Sequence, residues 1–402
     1  MDAKQLPSRP NLEQYKKLAK DFLKAYKSND AEVIQRAKKF HPRLRQLLDS
    51  DTPKAQFGLA DAQLVIAREH AFDSWPMFKE HIEALTHKSS RVAEFESAVE
   101  AVITGNAAEL KQLLRGNPEL TRERSTRAHH ATLLHYVSAN GVEDFRQKTP
   151  KNAVEITKIL LLAGADVEAV ADAYGKSKTL DLVATSIYPA RAGVQIALME
   201  TLLDAGAAIE GFPEKSIVNS CLANGRPQAA NFLARHGARL DLEGAAGVGR
   251  LDLVQGFFNQ DGSLKANATK AQMQSGFMWA CEYGRTNVVE FLLDLDQGVD
   301  VGTQVDGMTG LHWAVIGGHL DTIKLLLERK AQLEVKNRYG GTALGQTIWA
   351  IVHSDAETDW VAIVEMLLAV GARVEGAGFP SGSEQVDEVL RRRGAGSGER
   401  LV

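Results

Sequence analysis

Thr309–Leu344 reads TGLHWAVIGGHLDTIKLLLERKAQLEVKNRYGGTAL, and Ser275–Ala280, 34 residues before its start, reads SGFMWA against its opening TGLHWA. Within the longer stretch a helical apolar pattern, Leu311, Ala314 and Val315, stops at Gly317 and Gly318. A second pattern starts at Leu320 and runs through Ile323, Leu326 and Leu327. An extended piece follows, and Gly340 and Thr342 open the next unit. A period of about 33 residues is the signature of a repeat architecture. Each unit is two short helices that cannot bury their apolar faces alone, so stacking neighbours makes the core continuous.

The same frame recurs along the chain. Its exit turns read GADVE at Gly164, GAAIE at Gly206, GARLD at Gly237, GVDVG at Gly298, KAQLE at Lys330 and GARVE at Gly371. A degenerate unit, LEGAAGVGRLDLVQGFF, fills the wide gap between Gly237 and Gly298, and ESAVEAVITGNAAELKQLL precedes the rest. The count comes to about eight units between residues 91 and 378.

This pattern resembles the ankyrin repeat, with its TPLHxA opening, GH turn, LLL second helix, GA turn and extended DVN-type exit. Gly310 stands where that family has Pro, and Lys330 with Ala331 stands in for GA. The resemblance implies an all-α repeat solenoid of stacked helix-turn-helix units, with short hairpin loops and helical caps. It implies that Thr309 and His312 hydrogen-bond to hold the loop and link neighbouring units, as His135 does in TLLH. Asp181, Asn219, Met278 and Gly345 occupy the His place elsewhere, so those units lack the staple. Trp313, Trp279 and Tyr136 share one register position and are expected to fill space between stacked first helices.

The two ends differ from the array. Residues 1–90 lie outside the best frame: Leu12, Tyr15, Ala19, Phe22 and Tyr26 fall at helical spacing, with Lys17, Lys20, Lys24 and Lys27 on another face. A second helix is expected over 30–40, then a helix pair whose second member is capped by Asp73 or Ser74 with Pro76 in its first turn. This makes residues 1–90 a helical N-terminal cap segment, which also resembles a segment found before bacterial ankyrin arrays. Residues 379–402 should form a capping helix from about Glu384 to Arg393 and a frayed tail.

Three units carry extra residues between their helices: VEDFRQKTPKNA (142–153), SIYPARAGVQ (186–195) and HSDAETDW (353–360). Equivalent loops of a solenoid project from one side, which makes Phe145, Tyr188 and Trp360 candidates for exposed aromatics.

Composition narrows the function. Of 402 residues, 44% are hydrophobic and 24% charged, and the net charge of −4 gives no global field that would favour nucleic acid or a membrane. Residues 1–54 carry about +6, leaving about −10 for the rest. No apolar run is long enough to span a bilayer, and MDAKQLPSRP lacks the apolar core of a secretion signal, so a cytoplasmic protein is expected. Two cysteines, Cys221 and Cys281, exclude a disulfide scaffold.

Chemistry-bearing motifs are scarce. His129, His130 and His135 cluster in RAHHATLLH without metal-ligand spacing, and GAAGVGR lacks the strand and the Lys-Ser/Thr of a phosphate loop. No cofactor and no enzymatic activity are expected. The resemblance implies a scaffold that binds another protein on its concave side, with hairpin tips and first-helix ends. Transferred to this sequence, the partner-binding residues are Glu282, Tyr283, Val305, Asp306, Met308, Ile316, Arg338 and Tyr339. Exposed Tyr, Met and Arg side by side have hot-spot composition. Two other readings stand beside it. One is the targeting module of a toxin-like effector or enzyme with activity in residues 1–90. The other is nucleic-acid binding by the Lys-rich first helix, although nucleic acid is not the expected partner.

Overall fold

The computed structural model describes residues 3–87, 90–211, 216–295, 298–353 and 358–395. The fold is an all-α repeat solenoid, arranged as two compact units, Met1–Gly211 and Phe212–Val402.

In the first unit, α1 (Leu12–Lys27) buries Tyr15, Ala19, Phe22 and Tyr26, and Asn11 caps it by accepting from the Glu13 amide at 2.9 Å. Lys17, Lys20 and Lys24 lie on its solvated face. α2 (Ala31–Phe40), α3 (Pro42–Arg45), α4 (Leu59–Glu69) and α5 (Trp75–Leu85) close around it. Ser74, not Asp73, caps α5, and Pro76 fits its first turn because the missing N–H has no helical partner there. The core is aromatic: Tyr26 stacks on Phe57 at 4.0 Å, and Phe78 meets Tyr15 edge-on at 4.9 Å. The next helix pair is α6 (Arg91–Thr104) with α7 (Ala107–Gly116). In the TLLH unit the first helix is a 3₁₀ turn, Leu133–Ser138, ending at Ala139 in left-handed conformation. After it come α8 (Ala153–Leu162), the two-residue strands β1 (Val170–Ala171) and β2 (Ser177–Lys178), α9 (Thr179–Thr185), α10 (Ile187–Arg191) and α11 (Gln195–Asp204).

The first insertion does not project. Val142, Glu143 and Arg146 turn inward and are buried, and Phe145 is half-buried beneath the Arg146 guanidinium, 5.5 Å from its ring. The reason is electrostatic. Arg127, 1% exposed, and Glu143, fully buried, form an ion pair, and Arg146 reaches both Glu143, at 3.2 Å, and Glu96 of α6. His129 Nδ1 accepts from the Ala131 amide at 3.0 Å, which leaves its Nε2–H to donate to Glu143 at 3.3 Å. The Tyr136 hydroxyl also donates to Glu143, at 3.4 Å. Burial alone would raise the Glu143 pKa, but the His129 hydrogen bond and the Arg127 and Arg146 charges hold it well below the usual carboxylate range. Of the other two inserted aromatics, Tyr188 is exposed, and Trp360 is half-buried against the core. Residues 354–357 of the third insertion lie outside the described residues.

The second unit repeats one plan through α12 (Ile217–Ala223), α13 (Pro227–Arg235), α14 (Leu242–Val248), α15 (Leu251–Gln255), α16 (Lys270–Glu282) and α17 (Thr286–Asp294). It continues with β3 (Gln304–Val305), β4 (Met308–Thr309), α18 (Gly310–Gly317), α19 (Leu320–Glu328), α20 (Ala343–His353) and α21 (Trp360–Ala369), and closes on α22 (Glu384–Arg392). α22 turns Val386 and Leu390 inward and packs on α21; the expected tail, 396–402, lies outside the described residues. First helices pack on first helices, α14 on α16, α16 on α18 and α18 on α20, and one apolar core runs through them. Cys221 and Cys281 are buried and not joined in a disulfide, and Cys281 lies in this core.

The opening of the best repeat works as the resemblance implies. Thr309 and His312 cap α18 mutually, the threonine hydroxyl lying 2.7 Å from Nδ1, and Nε2–H reaches the Gly341 carbonyl of the next unit at 3.2 Å. Thr132 and His135 repeat the contact at 2.8 Å. The parallel with SGFMWA is only partial. Ser275 lies inside α16, which starts a turn earlier at Lys270, where Thr269 and Gln272 make the capping box.

Candidate functional site

The second unit's tips begin with a two-residue turn. Asp306 and Gly307 both take positive φ, 52° and 76°, the conformation that two-residue hairpins use and that Asp-Gly favours. Pleating then sets the side chains. Val305 pairs with Met308, and Met308 points inward with 4% exposure. Met308 is therefore not an exposed anchor: in β4 its side chain packs into the repeat stack, and Asp306 is the exposed residue of this tip.

Asn337 builds the next tip from below. Its Oδ1 accepts from the amides of Tyr339 and Gly341, each at 2.9 Å, and its Nδ2 donates to Gln346 at 2.8 Å. Tyr339 is thereby held outward, 80% exposed, with the Arg338 guanidinium 5.4 Å from its ring centre. The two tips adjoin: a Cβ on Gly307 would stand 3.4 Å from that of Arg338.

The first-helix ends are more recessed. Ile316 is half-buried, and the Tyr283 hydroxyl is spent on the Leu222 carbonyl. Glu282 is half-buried with no ion pair among the described residues, and burial pushes its pKa up to about 7. Arg285 donates its Nε–H to the Gly247 carbonyl at 3.0 Å. Gly284 and Gly318 end these helices at φ 66° and 70°, a conformation costly for a residue with Cβ.

A raised carboxyl pKa makes a signed prediction. The folded state prefers Glu282 protonated, so its contribution is fully present below the ordinary value of 4.5 and is lost as pH rises through about 7. Glu282→Gln should thus melt higher than the parent at pH 8 and level with it at pH 4. Melting curves across that range check it, and a pH-independent difference would refute it.

Trp349 was missed by the sequence reading. It sits 33 residues after Ile316 in the same register, so the frame itself carries the signal, yet it is 51% exposed and stacks on His353 at 4.3 Å. Of the aromatics expected to fill space, Tyr136 is fully buried, while Trp279 and Trp313 are half-buried. The histidines of RAHHATLLH have separate tasks: His129 meets Glu143, His130 meets Asp172 at 2.8 Å, and His135 caps.

A family match agrees with this repeat plan over residues 242–376. The family described as ankyrin repeats (3 copies) matches residues 242–337 and, overlapping them, 277–376. The chain is 44% identical to inversin of Gallus gallus over 62 residues, which is 15% of this chain and 6% of that protein. It is 42% identical to human SMC5-SMC6 complex localization factor protein 1 over 59 residues, again 15% of this chain and 6% of that protein. Palmitoyltransferase AKR1 of Lachancea kluyveri is 28% identical over 161 residues, 37% of this chain and 21% of its own length. The chain therefore spans only a small part of these relatives. The human ASB11 ankyrin repeat domain aligns with 69% of this chain and 98% of its own, at 21% identity and a TM-score of 0.36.

Proposed function

Because this chain is an ankyrin-repeat protein, we propose that it is a protein-binding scaffold and that its partner docks on the adjoining tips and first-helix ends of the second unit. The observation that carries this is the Arg338–Tyr339 tip. A tyrosine 80% exposed and held out by a buried asparagine has no folding role that accounts for its position. Tyr, Trp and Arg dominate binding energy at protein interfaces, because each gives large contact area and a polar end. Trp349 and Ile316 extend the apolar part, and Asp306 with Arg338 supplies a charged rim.

Glu282 defines one feature of the partner. A half-buried carboxylate without a cation is costly, and a partner Lys or Arg placed there would relieve it. The residues proposed for contact are thus Glu282, Val305, Asp306, Ile316, Arg338, Tyr339 and Trp349, with Tyr283 beneath them in a supporting place. The array is proposed to span residues 91–378, with 1–90 as its cap.

The proteins that share a stretch with this chain include a localization factor and palmitoyltransferases, whole molecules of different kinds. What they share with it supports a binding module rather than a reaction, and the chain is read as non-enzymatic.

A photo-crosslinking residue at Tyr339 should capture a discrete partner, and Arg338→Ala with Tyr339→Ala should weaken that complex at least about tenfold, as hot-spot truncation does. Both side chains are exposed, so the variant's melting curve should match the parent's. An intact complex in the double variant would remove the tips from the interface.

A further inference from the structure

We propose that the cleft between α1, α2 and α4 binds a small uncharged molecule with an apolar body and one hydroxyl, such as an alkylphenol, held by Tyr15 and His70. The cleft has a volume of ≈ 350 Å³, within the range of about 300–1,000 Å³ typical of small-molecule sites. Spacing along α1 builds one wall: Tyr15, Leu18, Phe22 and Ala25 recur at intervals of three and four residues, so they share a face of the helix. Val33 of α2 and Ile66 of α4 complete the apolar lining. Leu18 is left 49% exposed beside it.

Two polar groups in this lining are unspent. Tyr15 is 6% exposed, and its hydroxyl makes no hydrogen bond among the described residues. His70 is equally buried. Its Nδ1 lies 2.7 Å from the Lys4 carbonyl, which can only accept, so the proton sits on Nδ1 and Nε2 carries a lone pair. Burial pushes the His70 pKa down, which keeps the ring in that neutral form at neutral pH. Nε2 has no partner among the described residues either. Both atoms reach open space, unlike the unpartnered Nε2 of His81 and of His135, which are closed off. The two rings meet edge-on with centres 5.4 Å apart, so the two groups are neighbours in the lining. A ligand hydroxyl that donates to Nε2 and accepts from the Tyr15 hydroxyl uses both, whereas a hydrocarbon would strand them in a dry cleft.

Charge selects a neutral ligand. Two cations in the lining, Lys4 and Arg36, stand against two carboxylates, Asp21 and Glu69. Both cations are already committed to Glu69, which is 3% exposed: Lys4 at 2.8 Å, and Arg36 through two bonds at 2.8 and 3.1 Å. Arg36 also lies over the Phe22 ring, 5.0 Å from its centre. A charged ligand would lose its water beside a set that is balanced without it, a cost that an uncharged hydroxyl avoids.

Equilibrium dialysis of the full chain against 4-butylphenol is the test, with 4-butylanisole, 4-butylbenzoate and 4-butylbenzylamine as comparison probes. 4-Butylphenol should bind one to one with a dissociation constant below about 1 mM. The anisole accepts but cannot donate, so it should bind about fivefold more weakly, the loss expected for one hydrogen bond. The two charged probes should bind more weakly than the phenol. Tyr15→Phe deletes only a hydroxyl that no protein group uses. Its melting curve should therefore match the parent's while its hold on 4-butylphenol falls about fivefold. No binding of 4-butylphenol up to about 1 mM would overturn the proposal. So would a Tyr15→Phe variant, or the anisole, binding within about twofold of the parent complex. Tighter binding of the benzoate or the benzylamine would also overturn it, in favour of an acid or an amine. The Tyr339 crosslink is independent of every one of these results, so the two readings fail separately.

Discussion

Glu143→Ala is expected to destabilise the first unit by about 3–5 kcal/mol, because removing one partner of a buried pair leaves the other charge uncompensated. Glu143 is fully buried and receives Arg127, Arg146, His129 and Tyr136. Without it, Arg127 keeps, among the described residues, Glu96 at 3.7 Å, the His70 carbonyl at 2.9 Å and the Phe72 ring, whose centre is 5.0 Å from its guanidinium. Hydrogen exchange read by peptide should show lost protection in Arg91–Thr104 and Leu133–Ser138, with 310–369 spared, since repeats feel chiefly their neighbours. A second variant separates charge from packing. Glu143→Ala with Arg127→Met should regain part of the loss, because an apolar pair of similar volume can equal a buried ion pair. A loss under about 1 kcal/mol for Glu143→Ala would place this cluster among surface ion pairs. The cluster also gives acid sensitivity a direction. Its carboxylate pKa is depressed, so its stabilisation is present at neutral pH and lost only as pH falls far below the usual carboxylate range.

Phe277→Ala should cost the second unit about 3–5 kcal/mol, the usual price of deleting a fully buried aromatic. Its ring is 0% exposed where α16 packs on α18. It also explains the glycine that replaces the family's proline at 310. A Cβ there would stand 2.8 Å from the Phe277 ring and 2.9 Å from the Cys281 sulfur, closer than such contacts allow. Gly310→Ala alone should therefore destabilise by about 1–3 kcal/mol through overpacking. In the Phe277→Ala background the same methyl enters the vacated space, so the double variant should lose less than the sum of the singles. Denaturant titration of the four proteins completes the cycle. Simple additivity would mean that ring and glycine do not share one space.

Much of this was written in local sequence. The Thr309–His312 cap, Ser74 before Pro76 and the helix from Glu384 all depend on residues a few positions apart, and the repeat frame on the same short pattern written again about 33 residues on. Even the start of α16 ahead of SGFMWA is signalled locally, by the Thr269–Gln272 box. Trp349 was likewise available from the frame that identified Ile316.

The rest depended on distance. Met308 has hot-spot chemistry, but pairing with Val305 turns it inward. Glu143 and Arg146 look like charges of a solvated loop until the fold sets them against Arg127, and Arg146 against Glu96, 50 residues away. The sequence by itself determined the helix pairs, their caps and their period, because each follows from hydrogen bonds and apolar spacing within a few turns of chain. Only the tertiary structure decided which inserted residues point inward, which tip side chains remain in water, and which carboxylate has no cation beside it among the described residues. Those outcomes rest on burial and on charge pairing between segments far apart, and spacing along a single chain does not encode them.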